Sequence, residues 1–496
     1  MKSLVSVAGF VLVSAVALSA AGSGARLLEA VKAGNRDAVR ALLKQPAMAQ
    51  AREADGTSAL HWAVRADDLE TVRLLLGAGA AADAANRYGI TPLSLAATNG
   101  NAAIIEALVA AGADANAAPR DGQTVLMTAA RTGRAAAVEA LLSHGADANL
   151  SEAWLGETAL MWAAAHDHAA AVQTLLAHGA NADARSALST IPTLTAAGIG
   201  LITMEFPKGG WTALMFAARE GALAATRALA DGGADLNAAG PDGITPLMLA
   251  IINAHFDVGL ALLEAGADAN RVDRTGMAAL YAAVDMHTLP WMQGRPDPKP
   301  SGRLDEVAMV KALLAHGADP NAALTAPLLQ RNHTAGDPGL GDRATPFMRA
   351  AKGGDVVLMR LLQEHGADPA RTLKNRTTAA MLAAGTGWRD GGGAFPTRDR
   401  STDEGAIAAI ALCLSLGADI NAANDAGDTA LHAAAARGAD AVVRYLAAHG
   451  ARLDLKNRQG RTPLDAASAR RERASTIALL QQLTGEAGPG ALRQLP

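Results

Sequence analysis

Along most of the chain the apolar positions fall in one repeated figure. A threonine is followed by a leucine, and three residues further on by two apolar residues in succession. The figure reads "TSALHWAV" at 57–64, "ITPLSLAA" at 90–97, "ITPLMLAI" at 244–251, "DTALHAAA" at 428–435 and, more loosely, "RTPLDAAS" at 461–468. Positions three and four apart share one face of a helix, so the leucine and the paired small residues predict a short helix with one buried side. A glycine opens each figure, at Gly56, Gly89, Gly122, Gly156, Gly210, Gly243, Gly276, Gly427 and Gly460. Most steps between these glycines are of one length, about 33 residues. Some two-thirds of the way along each period comes "GAD" or a relative, as in Gly112-Ala-Asp114, Gly145-Ala-Asp147 and Gly266-Ala-Asp268.

Each part of the period has a mechanical meaning. Threonine caps a helix, and proline, where present, takes its first turn, where no intrahelical N–H bond is lost. Alanine lets neighbouring helices approach closely. A second helix follows, such as Ile104–Val109 or Ala137–Leu142. The glycine of "GAD" ends it, because a left-handed residue costs glycine least. Asp and Asn then build turns toward the next repeat.

This pattern resembles the ankyrin repeat, whose period and T-P-L-H-x-A signature it shares. The resemblance implies an all-α solenoid of about twelve helix–turn–helix units with protruding hairpin fingers, spanning about 25–484. The first repeat is a degenerate cap around Leu27–Gly34, and the last ends on the polar "ARRERAS" at 469–475, which suits a solvent-facing cap. Residues 485–496 are expected to form a mobile tail. Arg343 and Arg376 stand where repeats nine and ten should open on glycine, and Ala380 replaces the usual leucine. Those two repeats are expected to be the least ideal.

Subtracting the period locates four insertions, within 185–210, 287–305, 324–343 and 385–405. The first and third lengthen fingers. The second and fourth, equal in length, fall between the two helices of repeats eight and ten. These interhelical insertions each carry a tryptophan, Trp291 and Trp388, and should project from the same edge. Long loops in compact arrays are uncommon unless they are functional or disordered.

Composition narrows the function. Half of the 496 residues are apolar but only 3% are aromatic, and the net charge of −4 is spread without a basic block. That argues against a nucleic-acid binder. Residues 1–21 differ from the rest: Lys2, an apolar run Leu4–Leu18, then Ser19 and Ala21 at the −3 and −1 positions of a cleavage site. They read as a signal peptide. A retained anchor is the alternative, although the run is shorter than the roughly 20 residues that span a bilayer. Cys413, the single cysteine, lies in an apolar helical run, so neither an internal disulfide nor a cysteine metal cluster is possible.

Nine of the twelve histidines fall on scaffold positions of the repeat, leaving His166, His287 and His333. His287 and His333 flank the insertions of repeat eight, near Asp285, Asp297, Asp337 and Asp342, but nothing fixes a ligand spacing. No phosphate loop or nucleophile elbow is present, and no cofactor is expected. In ankyrin arrays the position after the paired alanines usually faces the partner. Here it holds Arg65, Thr98, Arg131, Ala165, Arg219, Ile252, Asp285 and Lys352. Finger aromatics Tyr88, Trp154 and Trp211 are candidate anchors, with Trp291, Trp388 and His166 beside them. The expectation is a non-catalytic, monomeric scaffold of the bacterial periplasm that binds a protein partner through its concave face, fingers and insertions, with no membrane span after signal cleavage. The alternatives are a hydrolytic or metal-dependent enzyme with its site between the insertions, and a secreted effector that engages host proteins.

Overall fold

The computed structural model describes residues 24–118, 121–197, 200–288, 300–326, 340–386, 402–469 and 473–486. The segment 1–21 and the tail beyond 486 lie outside them. The described residues contain twelve helix pairs, from helix 24–32 with Arg36–Leu42 to Pro463–Ser468 with Ala474–Glu486. No described helix is long and apolar enough to cross a membrane. The chain divides into two compact bodies. The first is Met1–Leu188, Gly209–Ala217 and Ala222–Asp235; the second is Ser189–Lys208, Ala218–Gly221 and Leu236–Pro496.

Most inner helices, such as Ala59–Arg65 and Pro246–Ile252, have only about two turns. Helices this short are marginal alone, so caps and packing must hold them. Ser58, Thr91, Thr124, Thr158, Thr245, Thr345, Thr378, Thr429 and Thr462 each accept the N–H three residues on, as at Thr91 Oγ1 from Ser94 at 3.1 Å. The repeat leucines Leu60, Leu93, Leu126, Leu160, Leu247 and Leu431 are fully buried with the alanines that follow them. Between the first and last of these helices, methionine takes the histidine position of the signature in six repeats, with Ser94 and Tyr281 there in the other two. Met127, Met161, Met215, Met248, Met348 and Met381 are all buried there. Where histidine remains, it reaches the next repeat: His61 Nε2 lies 3.0 Å from the Ile90 carbonyl and His432 Nε2 3.1 Å from that of Arg461.

Two further ties join neighbouring repeats. A finger N–H bonds to the carbonyl just before the opening residue of the preceding finger, as in Arg87 to Asp55 (2.9 Å), Ala153 to Asp121 (2.9 Å) and Arg458 to Ala426 (2.9 Å). At the other end of the finger, the Asn two residues beyond the Asp of "GAD" clamps the next repeat. Asn270 donates to the Gly317 carbonyl at 2.9 Å and accepts from the Asp319 N–H at 2.7 Å. Asn321 does the same to Gly366 and Asp368, each at 2.8 Å. Repeat nine has Ala370 at that position, so its side chain can supply no such rung.

Arg343 and Arg376 adopt φ of +73° and +62°, the left-handed conformation supplied elsewhere by glycine. The inter-finger bond survives at both, from Lys374 to Asp342 (3.1 Å) and from Asp425 to Asn375 (2.8 Å). Arg376 also pairs with Asp425 at 2.7 Å. The departures anticipated for repeats nine and ten are therefore present as backbone strain. Arg343→Gly should raise stability by about 1 kcal/mol, read as a higher urea midpoint at unchanged slope; a lower midpoint would contradict this account.

The insertion at 185–210 differs from an extended all-α finger. It is an antiparallel hairpin of strand β1 (Ser189–Ala197) and strand β2 (Gly200–Lys208), in register from Ser189↔Lys208 to Ala197↔Gly200. The sequence "STIPTLTAA" and "GLITMEFPK" is rich in β-branched and aromatic residues, which favour strands over helix. Pro192 and Pro207 are tolerated because both strands of a two-stranded ribbon are edges.

Candidate protein-binding surface

The exposed large apolar side chains of the first body gather on its fingers. Trp154 is 85% exposed, Leu188 68%, Tyr88 64% and Leu155 46%. Trp154, Leu155 and Leu188 lie on adjacent fingers, joined by the Ala187 N–H to the Leu155 carbonyl at 2.6 Å. The backbone beneath Trp154 is fixed from inside. The buried Glu152 carboxylate accepts from the N–H groups of Trp154 (2.7 Å), Leu155 (2.6 Å) and Glu157 (3.1 Å). The finger thus keeps its shape without help from the indole. Tyr88 is steadied by Arg87, whose guanidinium lies 4.9 Å from the ring centre and donates to the phenol oxygen at 2.7 Å.

On the inner helices Arg65, Arg131 and Arg219 are exposed. Arg65 lies 5.4 Å from the ring centre of Trp62, and Arg131 lies 5.2 Å from that of Trp162 in the next repeat. Stacking of this kind is worth about 0.5–1 kcal/mol at exposed sites and holds the guanidinium in place. Arg219 pairs with Glu220. His166 is exposed at the end of helix Ala159–Ala165 and meets His168 edge-on at 6.0 Å.

Two candidate residues differ from expectation. Trp211 is only part-exposed: it packs edge-on against Phe216 at 5.6 Å, and its backbone bonds to Ser186. It ties together the chain on either side of the insertion rather than projecting as an anchor. Lys352 is 3% exposed and Arg349, one helical turn before it, is fully buried. Lys352 therefore presents no cation to solvent, unlike Arg65 at the equivalent position. Arg349 Nε donates to Asp285 Oδ1 at 2.7 Å, so at repeats eight and nine the inner-face charges bind one another. Trp291 and Trp388 lie outside the described residues, as do His333, Asp297 and Asp337.

The described ends of the insertion in repeat eight are tied to both neighbours. The inner helix runs on to Thr288, where His287 Nε2 pairs with Asp355 of repeat nine at 2.9 Å. Burial opposes ionisation of Asp355, but His287 and the Leu358 and Val357 N–H groups together hold its pKa below the usual carboxylate range. On the return side the Ser301 N–H reaches the Ala254 carbonyl at 3.3 Å, Ser301 Oγ lies 2.9 Å from His255 Nδ1, and the Arg303 N–H donates to Asp257 at 3.0 Å, all in repeat seven. His287 thus has a structural partner, and among the described residues no group of three or more His, Cys, Asp or Glu is placed to hold a metal ion.

Two histidines make folding acid-sensitive. Burial pushes His61 and His255 below the ordinary value of 6.5, against the opposing bonds to the Ile90 and Arg219 backbone. The unfolded chain then binds more protons than the folded one between the two values. Their contribution is complete above about pH 6.5 and is lost as pH falls below it. Thermal melts should be flat above about pH 7 and drop from about pH 6.5 toward 5, with His255→Gln flattening the drop. A flat profile down to pH 5 would contradict this.

Paired short helices, inner-face alanines and a finger at each joint define a helical-repeat solenoid. The family model described as "Ankyrin repeats (3 copies)" matches residues 27–119, 112–186, 200–273 and 402–486, together more than half of the chain. The chain belongs to the ankyrin-repeat family, whose members typically act as non-catalytic scaffolds for protein–protein interaction. The stretch between the last two matches holds repeats eight and nine and the first helix of repeat ten, yet the helix pattern continues through its described residues. None of the curated proteins compared with the chain matches it.

Proposed function

We propose that the protein is a non-catalytic scaffold, exported to the bacterial periplasm, that grips a protein partner with the finger tips of its first body. The carrying observation is Trp154, 85% exposed on a finger whose backbone is held by buried Glu152. A rigid finger presenting a large aromatic side chain loses little entropy on binding, and such residues dominate interface energetics. Leu155, Leu188 and Tyr88 extend the apolar contact, and Arg65 and Arg131 offer a basic inner face to an acidic partner surface. Export rests on the segment 1–21.

In-cell cross-linking and capture from the envelope fraction tests both parts. Trp154→Ala with Leu188→Ser should leave the melting temperature within about 2 °C of the parent, since exposed positions contribute little to stability. The same pair should abolish recovery of the partner. Unchanged recovery would overturn the finger-tip reading. Amino-terminal sequencing of the envelope protein should begin at Gly22, and a chain beginning at Met1 would overturn cleavage.

A further inference from the structure

The hairpin of β1 and β2 stands outside the helix pairs. Its strands pair with each other, and among the described residues neither packs broadly against a helix. A two-stranded ribbon is marginal in water unless one of its faces is covered. The register sorts its residues onto two faces. Thr193, Thr195 and Ala197 share one with Met204, Ile202 and Gly200, while Leu194 and Ala196 share the other with Thr203 and Leu201. Neither face carries a charge over this distal half. Residues 186–204 contain no charged residue, and Glu205 and Lys208 stand nearer the base, opposite Pro192 and Ser189.

A third strand is disfavoured as the cover, because Pro192 and Pro207 blunt the free edge of each strand. A second copy of the chain is disfavoured by area. Strands of nine residues make a face of roughly 30 Å by 10 Å, about 300 Å², against about 800 Å² per partner in a stable interface. A protein groove would need only one uncharged face, whereas the distal ribbon is uncharged on both. Lipid meets both faces at once. We propose that the distal halves of β1 and β2 embed in a phospholipid surface, as deep as the boundary between headgroups and acyl chains. The unpaired N–H and C=O groups of the two edges bar the ribbon from the hydrocarbon centre, where nothing would satisfy them. Lys208, at the base, then stands at the depth of the lipid phosphates. Lipid binding by the hairpin requires neither a protein partner at the fingers nor cleavage before Gly22.

Flotation with vesicles of phosphatidylethanolamine and phosphatidylglycerol in equal parts tests the proposal. The chain from Gly22 is used, which retains every described residue and keeps the apolar segment 1–21 from contributing. The parent should float with the vesicles. Leu194→Asp with Ile202→Asp, one on each face, should lower partitioning at least about tenfold, since a charge on a lipid-facing strand position is costly. Leu194→Ile with Ile202→Val should float as the parent does. Both pairs lie outside the helix pairs, so melting temperatures should stay within about 2 °C of the parent. A polarity-sensitive fluorophore on Leu201→Cys should shift to the blue on vesicles, and buried Cys413 does not compete for the label. A parent that stays in solution, flotation untouched by the aspartates, or unshifted emission at Leu201→Cys would each overturn the proposal. A dimer in analytical ultracentrifugation that the aspartates dissolve, without flotation of the parent, would overturn it in favour of a second copy.

Discussion

Asp285→Ala is expected to lower the stability of the second body by about 2–3 kcal/mol, measured as a lower urea midpoint. Arg349 is fully buried on helix Pro346–Lys352, and Asp285 Oδ1 lies 2.7 Å from its Nε. Removing the carboxylate deprives a buried cation of a counter-charge without moving the guanidinium to water. Asp285 retains 26% side-chain exposure, so the loss should fall below that of a fully enclosed pair. Adding Arg349→Met, which keeps the stem and deletes the charge, should recover most of the loss. A single variant within about 0.5 kcal/mol of the parent would show that Asp285 does not stabilise Arg349.

The second large effect concerns the asparagine clamps. Asn321→Ala removes the bonds to the Gly366 carbonyl and the Asp368 N–H, each 2.8 Å. Two partly solvated hydrogen bonds contribute about 1–2 kcal/mol together. Ala370→Asn should act in the opposite direction, raising stability by about 1 kcal/mol, because the Gly417 carbonyl and Asp419 N–H of repeat ten become available to the new amide. If Asn321→Ala lowers the midpoint and Ala370→Asn leaves it unmoved, the clamp is not transferable to that joint.

The repeating frame was legible because one figure recurs: Thr, Leu, paired Ala and the terminal glycine each imply the next element. Arg343 and Arg376 could be marked in advance for the same reason, since a residue that breaks a strict period stands out. The hairpin was hidden by that habit of counting. Its signal is a short β-branched alternation in "TIPTLT" and "LITMEF", invisible to a period as long as a whole repeat. The position of Arg65 and Lys352 is equivalent in sequence but not in burial, because exposure there depends on what neighbouring repeats bring. Periodicity cannot report that. Trp154 was legible as an aromatic in a finger, but its rigid support by Glu152 was not.

The contrast along the inner helices bears on how a mutational scan would read. Substituting Arg65, Arg131 or Arg219 perturbs a solvated side chain, so any phenotype should track partner affinity while protein abundance stays constant. Substituting buried Arg349 or Lys352, or the part-exposed Asp285 that pairs with Arg349, perturbs a charge held within the stack, so the phenotype should track abundance and be rescued by lower growth temperature. Asp285 and Lys352 hold the same position of the repeat as the three solvated arginines. A scan scored by activity alone would merge the two groups and draw a binding footprint larger than the true one; scoring abundance beside activity separates them.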